Sequence, residues 1–148
     1  MSATHDIEIR IQSQPRYLCV VRAAVEAAIG RLGIDDALAT PIVLGVDEAL
    51  TNIVRHGYDC AEDRPIWIKL SPCGDDQRRG VEIVIEDESD TDPAGIHEMP
   101  DDPERPGGLG VCIIRRTMDE VEFTRRENGP GLRLRMVKYN AAPTGPPQ

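Results

Sequence analysis

The order of elements legible in this 148-residue chain predicts an α+β domain: a two-layer sandwich whose mixed, mostly antiparallel sheet is covered on one face by helices. Three observations carry that prediction. Strand and helix patterns are grouped, not alternated as a parallel sheet requires. Two pairs of strand patterns each flank a turn-rich stretch, as hairpins do. The length suits one compact core and leaves little room for a second.

Ile7, Ile9 and Ile11 alternate with Glu8 and Arg10, the period of a half-buried strand. Ser13 and Pro15 then offer a helix cap and an early helical position. Leu18, Val21, Val25, Ile29 and Leu32 recur at three- and four-residue spacing, which predicts a helix from about Arg16 to Leu32, stopped at Gly33. A second helix is expected to open at Thr40-Pro41 and run to Gly57. Ile42, Val46, Leu50, Ile53 and Val54 lie towards one side of it; Asp47, Glu48, Thr51, Asn52 and Arg55 share the other. Pro65 to Leu70 and Gly80 to Glu86 read as strands, joined by a hairpin loop over Ser71 to Arg79.

From Asp87 to Gly108 apolar periodicity vanishes and Asp and Pro dominate, the mark of a functional lid or a disordered insert. Order resumes with a short helix from Gly110 to Met118. Val121 to Arg126 and Leu132 to Lys138 come next as strands around the turn Asn128-Gly129-Pro130-Gly131. The expected organisation is one domain over residues 1–139, with a lid at about 88–108 and a disordered Pro-rich tail at 140–148.

Composition narrows the function. With 26 acidic and 17 basic residues the net charge is −9, the wrong sign for direct nucleic-acid binding, and aromatics at 3% provide no stacking platform. A small anion remains within reach, because backbone N–H groups and a metal ion can hold it locally. Cys19, Cys60, Cys73 and Cys112 form no C-x-x-C pair and read as reduced thiols. The polar N-terminus does not resemble a signal peptide, and no uninterrupted apolar run approaches the ~20 residues that span a bilayer. A soluble, cytoplasmic protein without membrane contact is therefore expected.

Three places can hold chemistry. Glu48 and Asn52 are four residues apart, so both project from one helix face. An amide oxygen beside a carboxylate suits Mg²⁺ that also binds phosphate, and the spare carboxylate can act as general base. Pro106-Gly107-Gly108-Leu109-Gly110 opens a helix, where backbone N–H groups and the helix terminus favour an anion. It is neither a Walker A loop nor a dinucleotide fingerprint, since it leads into no Gly-Lys-Ser/Thr and no strand directly precedes it. Asp87, ending a strand, can accept a hydrogen bond from an exocyclic amine. Taken singly, each also reads as ordinary: a solvated helix face, a glycine-rich loop, a strand-end turn residue.

Their joint order is more informative. Glu48-Ala49-Leu50-Thr51-Asn52-Ile53-Val54-Arg55-His56-Gly57-Tyr58 closely resembles the N-box of the anti-sigma-factor serine/threonine kinases, members of the GHKL ATPase superfamily with the Bergerat fold. Gly108-Leu109-Gly110, with Ile113 to Val121, resembles the family's second glycine box and the helix and strand after it. The resemblance spans about residues 5 to 139. It implies that Asn52 coordinates Mg²⁺, that Glu48 is the catalytic base and that Asp87 binds the adenine amino group of ATP. It also implies that Gly108 and Gly110 lie against the phosphates in an ATP lid and that Arg105 approaches the γ-phosphate. Members of the family bind a sigma factor, phosphorylate a Ser or Thr on an antagonist protein and commonly form homodimers.

Two departures from the family pattern stand out. The first glycine box usually reads Asp-x-Gly, whereas this chain has Asp87-Glu88-Ser89 and lacks the freedom of glycine at that corner. Asp92-Pro93 matches an Asp-Pro that several relatives carry. Near the last strand, where many relatives place a Thr beside the adenine, the chain has Gly131-Leu132-Arg133. Acidic lid residues (Glu98, Asp101, Asp102, Glu104) would also repel a triphosphate unless Mg²⁺ or Arg105 compensates. These departures open an alternative: a non-catalytic, protein-binding regulator with a degenerate nucleotide pocket. A sensor histidine kinase is not expected, because no dimerisation helix with a phospho-acceptor His precedes the N-box.

Overall fold

The computed structural model describes residues 4–96 and 108–142. Strands β1 (Ile7–Gln12), β2 (Pro65–Gly74), β3 (Arg79–Asp87), β4 (Glu120–Arg125) and β5 (Leu132–Tyr139) form one sheet. Their order across it is β1-β2-β3-β5-β4, and every pairing is antiparallel. Helices α1 (Leu18–Arg31), α2 (Ala39–Asn52) and α3 (Gly108–Thr117) supply the second layer. The expected α+β sandwich is what forms, with no parallel pair in its sheet.

One core joins the layers. Val21, Val25 and Ile29 of α1, Ile42, Val46 and Leu50 of α2 and Ile114 of α3 pack with Ile66, Ile68, Leu70, Ile83, Ile85, Leu134 and Met136 of the sheet. The strand residues share one face because side chains alternate across a pleated strand. The helical run Asp36–Gly57 has the length and apolar composition to cross a membrane, but Ile42, Gly45, Val46, Ala49 and Leu50 within it are buried in this core.

Among the described residues no helix covers the opposite sheet face, which carries a charged ladder instead. Lys69 Nζ reaches Glu86 Oε1 at 2.8 Å, Arg126 Nε reaches Glu86 Oε2 at 3.0 Å and Arg135 Nε reaches Glu82 Oε2 at 2.6 Å. Val84 and Val137 on this face are nevertheless fully buried, sheltered by the aliphatic stems of such long side chains.

Several local expectations are corrected. Ser13 does not cap a helix: its hydroxyl donates to Ala61 O and accepts from Arg64 N, tying the end of β1 to the start of β2, while Gln14 stands at the cap position. Helix α2 begins at Ala39, fed by a 3₁₀ turn at Asp36–Leu38, so Thr40 is not its cap. Pro41 lies in the first turn, where the missing N–H has no intrahelical partner to lose. The helix also ends earlier than periodicity suggests, widening after Asn52 into a π turn at Ile53–Gly57. The β2–β3 hairpin is longer than expected, because Pro72↔Val81, Cys73↔Gly80 and Gly74↔Arg79 remain paired. Only Asp75 to Arg78 turns the chain, with Asp75 Oδ1 accepting from the amides of Gln77 and Arg78.

The expected lid is described only in its first part. Asp92 Oδ1 caps the 3₁₀ turn Pro93–Gly95 by accepting from Ala94 N at 3.0 Å, and Arg125 approaches the same carboxylate at 3.5 Å. Arg105, the acidic lid residues from Glu98 to Glu104, and residues 143–148 of the tail lie outside the described residues.

Candidate functional site

Helix α2 crosses α3 closely because Gly45 has no side chain: a Cβ there would meet Met118 Cε and Thr117 Oγ1 at 2.8 Å. That crossing brings the first turn of α3 onto the polar face of α2. A Cβ on Gly110 would lie 2.9 Å from Asn52 Nδ2, 3.0 Å from Asn52 Oδ1 and 3.2 Å from Glu48 Oε2. Glycine thus lets the start of α3 rest on the Glu48–Asn52 pair without displacing either side chain. Gly108 opens the same helix two residues earlier. Glu48, Asn52 and Gly110 therefore belong to one cluster, and the N-terminus of α3, which begins at Gly108, stands beside it.

Asp87 ends β3 at the other side of the site, 1% exposed. Its Oδ1 accepts from Ser89 N at 2.7 Å and from Leu132 N at 3.3 Å. Gly131 lets β5 pass this close, because a Cβ there would fall 1.7 Å from Asp87 O and its φ of +132° is itself a glycine conformation. Ser89 occupies the place of the usual glycine without strain, since it is not among the residues with positive φ. Its side chain is buried against Gly57, where a Cβ would be 3.2 Å from Ser89 Cβ, and Ser89 Oγ donates to Thr91 Oγ1 at 3.0 Å. Gly57 therefore makes room for Ser89, and the π turn beyond Asn52 meets the Asp87 corner.

Two further groups support that corner. Tyr58 is buried, and its hydroxyl accepts from Glu88 N at 2.7 Å while donating to Pro65 O. Burial pushes its phenol up to about 12. Glu86, the neighbour of Asp87, is pulled both ways: burial raises its carboxyl, but hydrogen bonds and charge from Lys69 and Arg126 outweigh that and hold it below the usual carboxylate value. Arg126 also stacks on Trp67, 4.1 Å from the ring centroid. Sequence pattern did not single out Tyr58, Gly57 or Gly131 as parts of the site. The local signals were the His56-Gly57-Tyr58 run after Asn52 and the turn that ends at Gly131, and the contacts that matter are distant: Tyr58 with Glu88, Gly57 with Ser89 and Gly131 with Asp87 lie 30 to 44 positions apart.

Residues 11–138 match the family model described as histidine kinase-like ATPase domain. The chain belongs to that family. Its fold and the sequence resemblance to the GHKL ATPases agree with this placement. Among curated relatives, serine-protein kinase RsbW of Bacillus subtilis is 27% identical over 142 residues, covering 90% of this chain and 84% of that protein. The protein of the same name from Oceanobacillus iheyensis is 29% identical over 150 residues, covering 95% and 90%. Among solved structures, that of the RsbU and RsbW domains of Rv1364c from Mycobacterium tuberculosis superposes with a TM-score of 0.58 at 18% identity. It covers 92% of this chain, which spans only 34% of that longer chain, and at this identity it speaks for the fold alone.

The histidine kinase-like ATPase family implies use of ATP, and the cluster has the chemistry for it. The space kept open by Gly110 is lined by the Asn52 amide, nitrogen and oxygen alike, and by a Glu48 carboxylate oxygen, and the two oxygens are the hard donors that Mg²⁺ prefers. Among the described residues no group of three or more His, Cys, Asp or Glu could hold a metal ion alone. A cation here would have to share its shell with water and phosphate, as Mg²⁺ commonly does.

Proposed function

We propose that this protein is an anti-sigma factor and serine/threonine protein kinase, which binds Mg²⁺-ATP, sequesters a sigma factor and phosphorylates an antagonist of the anti-sigma factor. The observation that carries the proposal is the contact of Gly110 with both Asn52 and Glu48, which gives a helix N-terminus, an amide oxygen and a carboxylate one shared space. The RsbW relatives support the same reading. Residues 1–139 would act as one ATP-binding domain, with the segment from about 88 to 108 as its lid and the cytoplasm as its setting.

In this reading Asp87 recognises adenine. With Oδ1 held by two backbone N–H groups, Oδ2 is the atom to accept from the exocyclic amine. Asn52 Oδ1 would hold Mg²⁺, which when bound neutralises phosphate charge and orients the γ-phosphoryl group. Gly108 and Gly110 let backbone N–H groups approach the phosphates without steric interference. Glu48 then accepts the proton of the attacking Ser or Thr hydroxyl, and Arg105 would approach the γ-phosphate from the lid. Phosphoryl transfer needs mainly such positioning and charge neutralisation. The alternative of a degenerate pocket rests on Ser89, on the missing hydroxyl at Gly131-Leu132-Arg133 and on the acidic lid residues. The ordinary backbone of Ser89, and the room that Gly57 leaves for it, argue against strain as a reason for the first of these to matter.

The test is transfer of labelled γ-phosphate from ATP to a candidate antagonist, with Glu48→Gln as the control. Glu48→Gln should retain ATP binding and lose at least ~100-fold in transfer rate, the usual contribution of a general base. ATP binding without transfer to any antagonist that binds the protein would refute the kinase reading.

A further inference from the structure

Tyr58 stands six residues beyond Asn52, where the helical run has just closed in its π turn. Its amide donates to Ile53 O at 2.8 Å, and its carbonyl accepts from Ala61 N at 2.8 Å, so its backbone is tied on both sides. Asp59 and Cys60 come next with φ of 47° and 63°, left-handed conformations that cost a non-glycine residue energy. That turn directs the Tyr58 ring between the start of β2 and the end of β3, where it is 5% exposed.

The contacts made there converge on one residue. Tyr58 Oη accepts from Glu88 N at 2.7 Å. Arg64 lies across the Tyr58 ring, 4.9 Å from its centroid, and donates from Nη2 to Glu88 O at 3.2 Å. Both backbone polar groups of Glu88 are therefore held by the connection between α2 and β2. Glu88 separates Asp87 from Ser89, and Ser89 N is the nearer donor to Asp87 Oδ1. The direction of the Asp87 carboxylate thus depends on peptide units anchored to Tyr58. Because burial pushes the phenol up to about 12, the hydroxyl keeps its proton for Pro65 O throughout the physiological range.

We propose that Tyr58 is a positioning residue for Asp87: its hydroxyl sets the Asp87-Glu88-Ser89 corner at a fixed spacing from the helix that bears Glu48 and Asn52. The inference rests on the nucleotide reading for what Asp87 does, and on the hydrogen bonds alone for how Asp87 is held. A carboxylate so held accepts from the amine of adenine and repels the carbonyl oxygen that guanine places at the equivalent position. The hydroxyl of Tyr58 therefore contributes to purine selectivity without touching the base.

Tyr58→Phe keeps the ring and the Arg64 stacking and removes only the hydroxyl. Two measurements on the full chain test the proposal. The first is hydrogen exchange in the nucleotide-free protein: the Glu88 and Ser89 amides should exchange about tenfold faster in Tyr58→Phe, with no matching change in α1. Arg64→Leu, which removes the bond to the Glu88 carbonyl, should show a smaller effect at the same two amides. The second is the ratio of ATP to GTP affinity: Tyr58→Phe should lower it about tenfold and cause no further loss in an Asp87→Asn background. Unchanged exchange at Glu88 and Ser89 overturns the proposal. So does an ATP-to-GTP ratio that Asp87→Asn alters and Tyr58→Phe does not. If Asp87→Asn alters neither affinity, the nucleotide reading fails, and the exchange result by itself decides whether Tyr58 holds Asp87.

Discussion

Gly110→Ala separates binding from folding in this protein. The added Cβ would sit 2.9 Å from Asn52 Nδ2, 3.0 Å from Asn52 Oδ1 and 3.2 Å from Glu48 Oε2, all of them ends of flexible side chains. Such ends swing away at little cost to the fold, and alanine in a helix gains up to about 1 kcal/mol over glycine. The apo variant should therefore be as stable as the parent or slightly more stable. The displaced atoms are the ones proposed to serve Mg²⁺ and the proton transfer, so ATP affinity should fall by tenfold or more. At a ligand concentration of ~100 times Kd, binding contributes about 2.7 kcal/mol, and for a chain of this size each kcal/mol moves Tm by roughly 2–4 °C. Thermal melts with and without Mg²⁺-ATP at one fixed concentration should show a rise of about 5–10 °C in the parent, and a tenfold fall in affinity removes about half of it. A parent-like rise in Gly110→Ala would refute the assignment of this cluster as the nucleotide site.

Other perturbations bear on the corner and the ladder. Ser89→Gly should leave ATP affinity within about threefold of the parent and cost about 1 kcal/mol in urea unfolding, because it removes a hydrogen bond and gains no needed backbone freedom. Gly131→Ala forces a Cβ to 1.7 Å from Asp87 O at a φ of +132° and should cost about 3 kcal/mol or more in the same assay. Glu86→Gln breaks a buried network with Lys69 and Arg126 and should cost about 3 kcal/mol at neutral pH. Glu86 is held below its unfolded value, so the folded state binds fewer protons between the two values. Its stabilisation is present above the unfolded value of about pH 4.3 and is lost as pH falls through the lower folded value. The gap between parent and Glu86→Gln in denaturant titrations should accordingly close on acidification.

What the sequence made legible was local or periodic. The 3.6-residue period placed Glu48 and Asn52 on one face of α2, and the alternation in β3 placed Asp87 at a strand end. The glycines before Val111 marked the start of α3. What it concealed depends on partners remote in the chain. The β2–β3 hairpin extends past Pro72 because β3 supplies a matching partner, against the turn signal of Pro72 and Gly74. Ser13 looks like a cap and instead joins two strands, since the Ala61 carbonyl and the Arg64 amide lie within its reach. Ser89 looks like a defect until Gly57 is seen to have vacated the space its side chain fills. Tyr58 resembles any aromatic after a helix, and only the meeting of β2 and β3 reveals what its hydroxyl holds.

The stacking of Arg126 on Trp67 has a practical consequence. Trp67 is the only tryptophan in the chain, and it pairs across the sheet with Glu86, the residue before Asp87. Arg126 bonds Glu86 while lying on the indole, and Arg10 approaches the ring at 5.9 Å. A shift at the Asp87 corner would pass through Glu86 to the guanidinium on that ring. The molecule thus carries one native fluorophore coupled to the charged ladder, and under the nucleotide reading its emission should change on addition of ATP without an attached dye.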